Sequence, residues 1–467
     1  MASNNVVINR LANGSNKVTA MIVLWTDALI FILVFTVLAL AFYLRGKAHV
    51  QQGLQKIAAS NIGMVSLVVL LFFVGVGLLD SVHFKSTVNN SGEIISLLDY
   101  WAAPLKEHDE KTYSAPFAAT LYSKEITHAL AGVPQWRYPR LAFGGKHLQD
   151  PDTQRLADIG KKTALAFGQG FMLASVLLAI LLWLRAKTQV LTKPFFSLSP
   201  LLWTVFIIVL LGTMLVNLSA YYHVFGTDKV GEDVLYQAVK SIRTGLVIGT
   251  LTTLIMLPMA ITFGILAGFF RGWVDDIIQY IYTTLNSVPS VLLIAASVLM
   301  VQVYMANHEA AFTSVVVRSD MRLLFLCLIL GVTSWTGLCR LLRAETLKLR
   351  EMEYVQAAYA LGVKQHTILI RHILPNVMHL VLITVVLDFS SLVLAEAVLS
   401  YINIGVDPTT YSWGNMINGA RLEMAREPIV WWSLSAAFVF MFALVLAANL
   451  FADVVQNALD PRAVRND

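Results

Sequence analysis

Four groups of residues have the types and spacing to do chemistry. Asp388 lies in the middle of an apolar run beside Ser390 and Ser391, with Glu396 two turns later. A carboxylate at membrane depth costs about 3 kcal/mol or more unless it faces water or the bundle interior. Asp388, Ser391 and Glu396 are therefore candidates for the lining of a polar path, against a purely structural hydrogen-bonding role; Glu396 and Asn449, nearer helix ends, are the weaker ones. His223, Asp228 and Asp233 carry metal-ligating atoms, but their spacing is loose. Gly226-Thr227-Asp228 reads better as a turn, with Asp233 or Asp228 capping the next helix. Gly144-Gly145-Lys146-His147 lacks the first glycine and the hydroxyl residue that a phosphate cradle needs. With no His-x3-His, Cys-x2-Cys or Gly-x-Ser-x-Gly present, no catalytic, cofactor-binding or metal-binding residue is assigned.

The fourth group is the segment from about 343 to 376. From Glu353, residues Tyr354, Ala357, Ala358 and Leu361 recur at i, i+3, i+4 and i+7, which predicts a short helix. Gly362 supplies its stop, apolar character resumes over Thr367–Leu374, and Pro375 precedes another apolar run. The pattern is a helix–Gly–helix elbow. Its alanines let a second protein approach closely, as in groove docking; the bland alternative is a surface helix in which Tyr354 and Leu361 pack the elbow's own core.

These residues are positioned by a chain of 467 residues, 57% hydrophobic and only 13% charged, about half the charged share of a soluble domain. A bilayer core takes about 20 apolar residues in helical form. Nine runs qualify: Val23–Leu44, Val65–Leu79, Leu165–Leu184, Leu201–Leu218, Gly245–Phe270, Ile277–Tyr304, Leu323–Leu342, Val377–Leu399 and Trp431–Val455. The expectation is an all-α polytopic membrane protein, with Asp27 and Asp80 solvated at the ends of their spans. Pro258 and Pro289 interrupt two spans and mark kinks. The first run is too long for a signal peptide and reads as a retained helix. Cys327 and Cys339 both lie in or beside apolar runs and support neither a disulfide scaffold nor a zinc site. The net charge of +5 fits Lys and Arg collected in cytoplasmic loops and does not call for nucleic acid. With the elbow and C-terminus inside, fifteen Lys and Arg fall on the cytoplasmic side and nine on the short outer segments, which favours that orientation. Nine spans then put the N-terminus outside. The chain divides near residue 195. Residues 1–195 form an extension of three membrane helices with a large outer loop, about 83–162, either a small folded cap or a mobile insertion. Trp136, Tyr138 and Phe143 in that loop would dock a partner or make its mini-core. Residues 196–467 form a six-span core.

Several motifs in the core carry a resemblance. Gln356-Ala357-Ala358-x3-Gly362 followed by Ile373-Leu374-Pro375 resembles the EAA loop of ABC importer permeases. His223 through Gly226, Thr227 and Asp228 to Asp233 resembles the outer signature of the dipeptide/oligopeptide/nickel permease family, in its second-permease, C-type branch. Gly268-Phe-Phe-Arg-Gly272-Trp273-Val-Asp275, Glu396-Ala-Val-Leu-Ser400, Ser412-Trp413-Gly414-Asn415-Met416 and Ala458-Leu459-Asp460-Pro461-Arg462 resemble further motifs of that branch. Gln356 stands where the family usually has Glu, which removes charge-assisted strength at that position; Val224 replaces the usual Pro. Residues 1–195 match nothing in the pattern.

The resemblance implies a type I ABC importer permease core of six helices. It implies a non-enzymatic subunit of the bacterial inner membrane that pairs with a sister permease as a heterodimer and receives peptides from an extracytoplasmic substrate-binding protein. Two ATP-binding subunits would hold the ATP and Mg and grip Tyr354, Gln356, Ala357, Ala358, Leu361 and Gly362; no cofactor sits on this chain. Nickel chelates, antimicrobial peptides or another solute remain alternative cargoes, and a non-transporting scaffold is a different class. An ion-driven transporter would show paired intramembrane charges and inverted repeats, and the sequence displays neither.

Overall fold

The computed structural model describes residues 18–44, 48–86, 94–128, 134–187, 198–309 and 314–459. The division expected near residue 195 and residues Asp460–Arg462 of the terminal motif lie outside the described residues. Apolar runs become helices because lipid offers the backbone no partner. In order these are α1 (Trp25–Leu44), α2 (Ala48–Ala59), α3 (Asn61–Asp80), the short α4 (Leu97–Trp101) and α5 (Ala103–Lys106), α6 (Pro151–Lys187), α7 (Leu198–Ser219), α8 (Val234–Phe270), α9 (Trp273–Ser287), α10 (Ser290–Asn307), α11 (Val315–Ser334), α12 (Thr336–Arg350), α13 (Glu353–Ala360), α14 (Gln365–Ile368), α15 (Leu374–Tyr401), α16 (Trp413–Arg421) and α17 (Trp432–Leu459). One π-helical turn, Leu369–Ile373, joins α14 to α15.

Among the described residues, eight helical segments are long and apolar enough to cross a membrane. Two of the nine expected runs are redrawn. Ile277–Tyr304 is two helices: Pro289 sits at the junction, so amphipathic α9 stops at Ser287 and α10 starts at Ser290. Leu323–Leu342 straddles the end of α11 and the start of α12, and α11 itself begins eight residues earlier with Arg318, Asp320 and Arg322 in its first turns. That polar start explains why α11 is not among the eight. Pro258 lies inside α8.

α8 is the hub. It packs along α12, α11, α15, α3 and α9. Gly264 and Gly268 let α12 come close: a Cβ at Gly268 would lie 2.7 Å from the Arg343 carbonyl oxygen and 2.6 Å from Thr346 Cβ. Three buried clusters follow, one at the elbow end (with Trp335, Leu342, Val355 and Ile373), one beside α17 (with Trp413 and Trp432) and one between α8, α10 and α11 (with Leu251 and Leu326). α3 packs on α17 and α8 inside this bundle, whereas α6 and α7 pair chiefly with each other.

The large loop is folded where it is described. β1 (Val18–Ile22), β2 (His83–Ser86) and β3 (Ile94–Ser96) form an antiparallel sheet, and β4 (Glu125–His128) and β5 (Pro134–Arg137) a hairpin. A small core of Ala118, Leu121 and Leu141 lies under it. Trp136 and Tyr138 are exposed and take no part in that core, while Phe143 stacks on His108 at 4.7 Å. This cap marks one end of the molecule, the cap end, and residues 343–376 mark the elbow end.

Candidate functional site

The elbow is built from α12 through the first turns of α15. Its helix α13 buries Val355 and Ala358 against Ile368, Ile373 and Val377. Gly362, at φ +74, is the stop, and its amide closes the turn on the Tyr359 carbonyl at 3.0 Å. The expected helix is present, but the residues read as its contact stripe do not share one environment. Ala358 is buried, so it belongs to the elbow's own core. Ala357 and Gln356 are exposed, Tyr354 is 41% exposed and Leu361 82% exposed, so the latter two are not core residues. The sequence reading missed Met352, Tyr359 and Ile370, which are exposed apolar residues on the same elbow. Their only signal was apolar character off the buried face. A stretch of that kind at a water-exposed end is what an interaction surface requires.

Three interactions fix this elbow to the bundle. Arg343 forks onto Asp275 at 2.6 and 2.7 Å, which holds the Asp275 carboxyl below the usual carboxylate range. Arg350 donates to the Phe269 carbonyl at 2.6 Å, and Arg271 pairs with Glu351. Gln356 donates its amide to the Glu351 backbone oxygen at 3.2 Å, a neutral local bond in place of an ion pair.

The three polar residues of α15 divide. Asp388 is half-buried and has no side-chain partner among the described residues, and Ser391 beside it is exposed and donates to the Asp388 carbonyl at 2.9 Å. Glu396 faces inward: it is 2% exposed, accepts from Ser400 at 2.7 Å and abuts Gly414. Asn449 accepts from Ser390 at 2.7 Å and ties α17 to α15.

At the cap end, Asp233 is the helix cap: it accepts from the Leu235 and Tyr236 amides at 2.8 and 3.2 Å. Its other oxygen meets His223 Nδ1 at 2.7 Å, and the far imidazole nitrogen lies 3.5 Å from Glu110 of the cap. Burial opposes charge on His223, but the two facing carboxylates prevail and push its pKa up to about 9. Glu110 also accepts the amides of Ala142, Phe143 and Gly144. Gly226 and Thr227 hold the adjoining turn, with Thr227 Oγ1 accepting from the Ser114 amide at 2.7 Å. Asp228 accepts from the Val230 and Glu232 amides and from Gln237. The described residues contain no group of three or more ligating side chains placed to hold a metal.

Asp27 and Asp80 are not solvated. Asp27 is 0% and Asp80 3% exposed. Arg243 of α8 donates to Asp27 at 2.6 Å and lies 3.5 Å from Asp320 of α11; His83 approaches Asp27 at 2.9 Å. Lys240 pairs with Asp99 and lies 3.8 Å from Asp80. Paired charges at membrane ends, which the sequence did not display, thus join α1, α3 and α4 to α8 and α11. Carboxylates tens to hundreds of positions from their cations, 216 for Asp27 and Arg243, give no local pattern to read.

Comparison with known proteins agrees with this architecture. A family model described as "Binding-protein-dependent transport system inner membrane component" matches residues 260–465. The dipeptide transport system permease DppC of Lactococcus lactis is 31% identical over 52% of this chain and 64% of its own length. The oligopeptide permease OppC of Mycobacterium tuberculosis is 30% identical over 51% of this chain and 76% of its own. The glutathione permease GsiD of Pectobacterium atrosepticum is 32% identical over 51% and 73%. A chain of the inward-facing MetNI methionine ABC transporter aligns over 98% of its length and 49% of this one, at 15% identity and TM-score 0.37. With three quarters of a relative's length matched at 30% identity or better, the chain belongs to the family of binding-protein-dependent transport system inner membrane components, as a peptide-type ABC importer permease with an N-terminal extension.

Proposed function

We propose that this chain forms one half of a path for di- or oligopeptides across a bacterial inner membrane and is driven through its elbow by separate ATPases. The carrying observation is the elbow's construction: Val355 and Ala358 anchor α13 from below, leaving Tyr354, Ala357, Tyr359 and Leu361 presented to a partner. Two ATP-binding subunits, holding ATP and Mg, would each grip one elbow, and closing them would rock the bundles between inward-open and outward-open states. A sister permease would complete the path, with Asp388 and Ser391 toward it, and an extracytoplasmic binding protein would deliver cargo at the cap end. The elbow and C-terminus are then cytoplasmic and the N-terminus extracytoplasmic. The peptide cargo rests on the names of the relatives.

The test is reconstitution of the chain with its co-encoded ATPases, sister permease and binding protein in liposomes. Peptide uptake should depend on ATP, and Leu361→Glu should abolish it while leaving the thermal stability of the isolated permease unchanged. Uptake that survives Leu361→Glu, or a chain that captures no ATPase, would overturn the proposal.

A further inference from the structure

A cavity of about 570 Å³ opens at the cap end between the turn 226–237, the loop 403–412, α16 and the start of α17. Its walls carry Asp228, Glu232 and Glu423, with Tyr113 of the cap and Tyr411 beside them. Glu423 is paired with Arg426 at 3.2 Å. Asp228 and Glu232 have no ion-pair partner among the described residues; one Gln237 amide nitrogen bridges them, at 2.8 and 3.0 Å. Their hydrogen bonds come from neutral donors, so the charge itself is uncompensated. Lys229 lies at the rim, exposed and without an ion pair among the described residues.

Two further observations point to a ligand. Burial, with Asp228 and Asp109 nearby, raises the Glu232 carboxyl above the usual carboxylate range, and Asp109 is raised likewise by burial and Asp228. Burial first, and the neighbouring carboxylates second, work against negative charge at this wall. Independently, Ser433 lines the cavity while only 7% exposed and has no hydrogen-bond partner among the described residues. The hydroxyl of Thr410, on the same wall, is buried without a partner as well. A buried hydroxyl is normally satisfied, so that of Thr410 is a donor and acceptor in waiting.

We infer that this cavity is a binding site for a primary ammonium group, held by Glu232 and Asp228 with Ser433 and Thr410 as neutral acceptors, and that the group is the free amine of the transported solute. Three donors on an ammonium are met by two carboxylates and either of the two hydroxyls, and the volume admits a few residues of peptide around it. The identity of the solute rests on the importer reading; the ammonium site itself does not.

The experiment is isothermal titration of the purified full-length permease in detergent at pH 7 with trialanine and with N-acetyltrialanine. Trialanine should bind about tenfold or more tightly than its acetylated form, the loss of one charged hydrogen-bonded contact. Glu232→Gln, which can still accept from Gln237 and Tyr411, should remove that difference without lowering the melting temperature, and Ser433→Ala should weaken trialanine severalfold. Equal binding of the two peptides, or unchanged discrimination in Glu232→Gln, overturns the site. A permease that ignores both peptides but docks its binding protein less well as Glu232→Gln overturns the solute assignment in favour of a partner's lysine. Because titration needs neither ATPase nor uptake, amine discrimination without ATP-driven transport would overturn the proposed function and leave the site standing.

Discussion

The contact between His223, Asp233 and Glu110 makes a quantitative prediction about pH. The ring is 4% exposed, so solvent screens these charges little. Its pKa stands at about 9 against 6.5 for the free side chain. At 1.36 kcal/mol per unit, the protonated form is favoured in the fold by about 3 kcal/mol. Because the folded value is the higher one, this stabilisation is complete below pH 6.5 and is lost as pH rises through 9. Most of it therefore remains at pH 7 and almost none at pH 10. The affected joint is the one between the cap segment around Glu110 and the start of α8. Hydrogen exchange read by mass spectrometry on peptides covering 110–122, 140–148 and 223–236 should lose up to about a hundredfold in protection between pH 7 and 10, after correction for base-catalysed intrinsic exchange. His223→Gln should be poorly protected at pH 7 and change little with pH. Parallel loss of protection in wild type and His223→Gln, or a wild-type midpoint near 6.5, would refute the reasoning.

Other expectations are simpler. Arg243→Ala strands Asp27 and Asp320 in a buried site and should cost about 3–5 kcal/mol, seen as a large fall in detergent melting temperature; Arg243→Lys should recover part of it. At the elbow, Ala358→Trp should destabilise the isolated permease, whereas Ala357→Trp should leave its melting temperature within a degree or two and reduce ATPase capture. Gly268→Leu should separate α8 from α12 and lower expression of folded protein, because its added atoms meet the Arg343 carbonyl and Thr346. Arg343→Lys should loosen the elbow more than charge conservation suggests, since a point charge cannot fork onto Asp275; proteolysis between residues 350 and 370 would report it.

Much of this architecture was legible in the residues. Long apolar runs gave the spans because lipid forces helix. The 3.6-residue rhythm and Gly362 gave α13, and Asp233 as a cap followed from its type and place. What failed was whatever depended on distant partners. Asp27 and Asp80 look like helix-end carboxylates headed for water until Arg243 and Lys240 are brought beside them by the bundle. Ala357 and Ala358 are equivalent in the pattern, and only the π-turn and α15 decide which one is covered. α11 begins eight residues before the apolar run Leu323–Leu342 because Arg318, Asp320 and Arg322 are polar yet helical; in the fold, Asp320 faces Arg243 and Arg322 pairs with Asp407 at 3.2 Å.

The Arg243–Asp27 pair has a consequence for how the protein is made. The two residues are separated by 216 positions. At a synthesis rate of about 5–20 residues per second, Asp27 emerges roughly 10–40 s before its cation exists. For that interval the first helix presents an acid destined for burial, with neither α8 nor α11 yet there to receive it. The joint between α1 and α8 can therefore close only after the middle of the chain has been made, so the last step of assembly here is set by synthesis order as well as hydropathy.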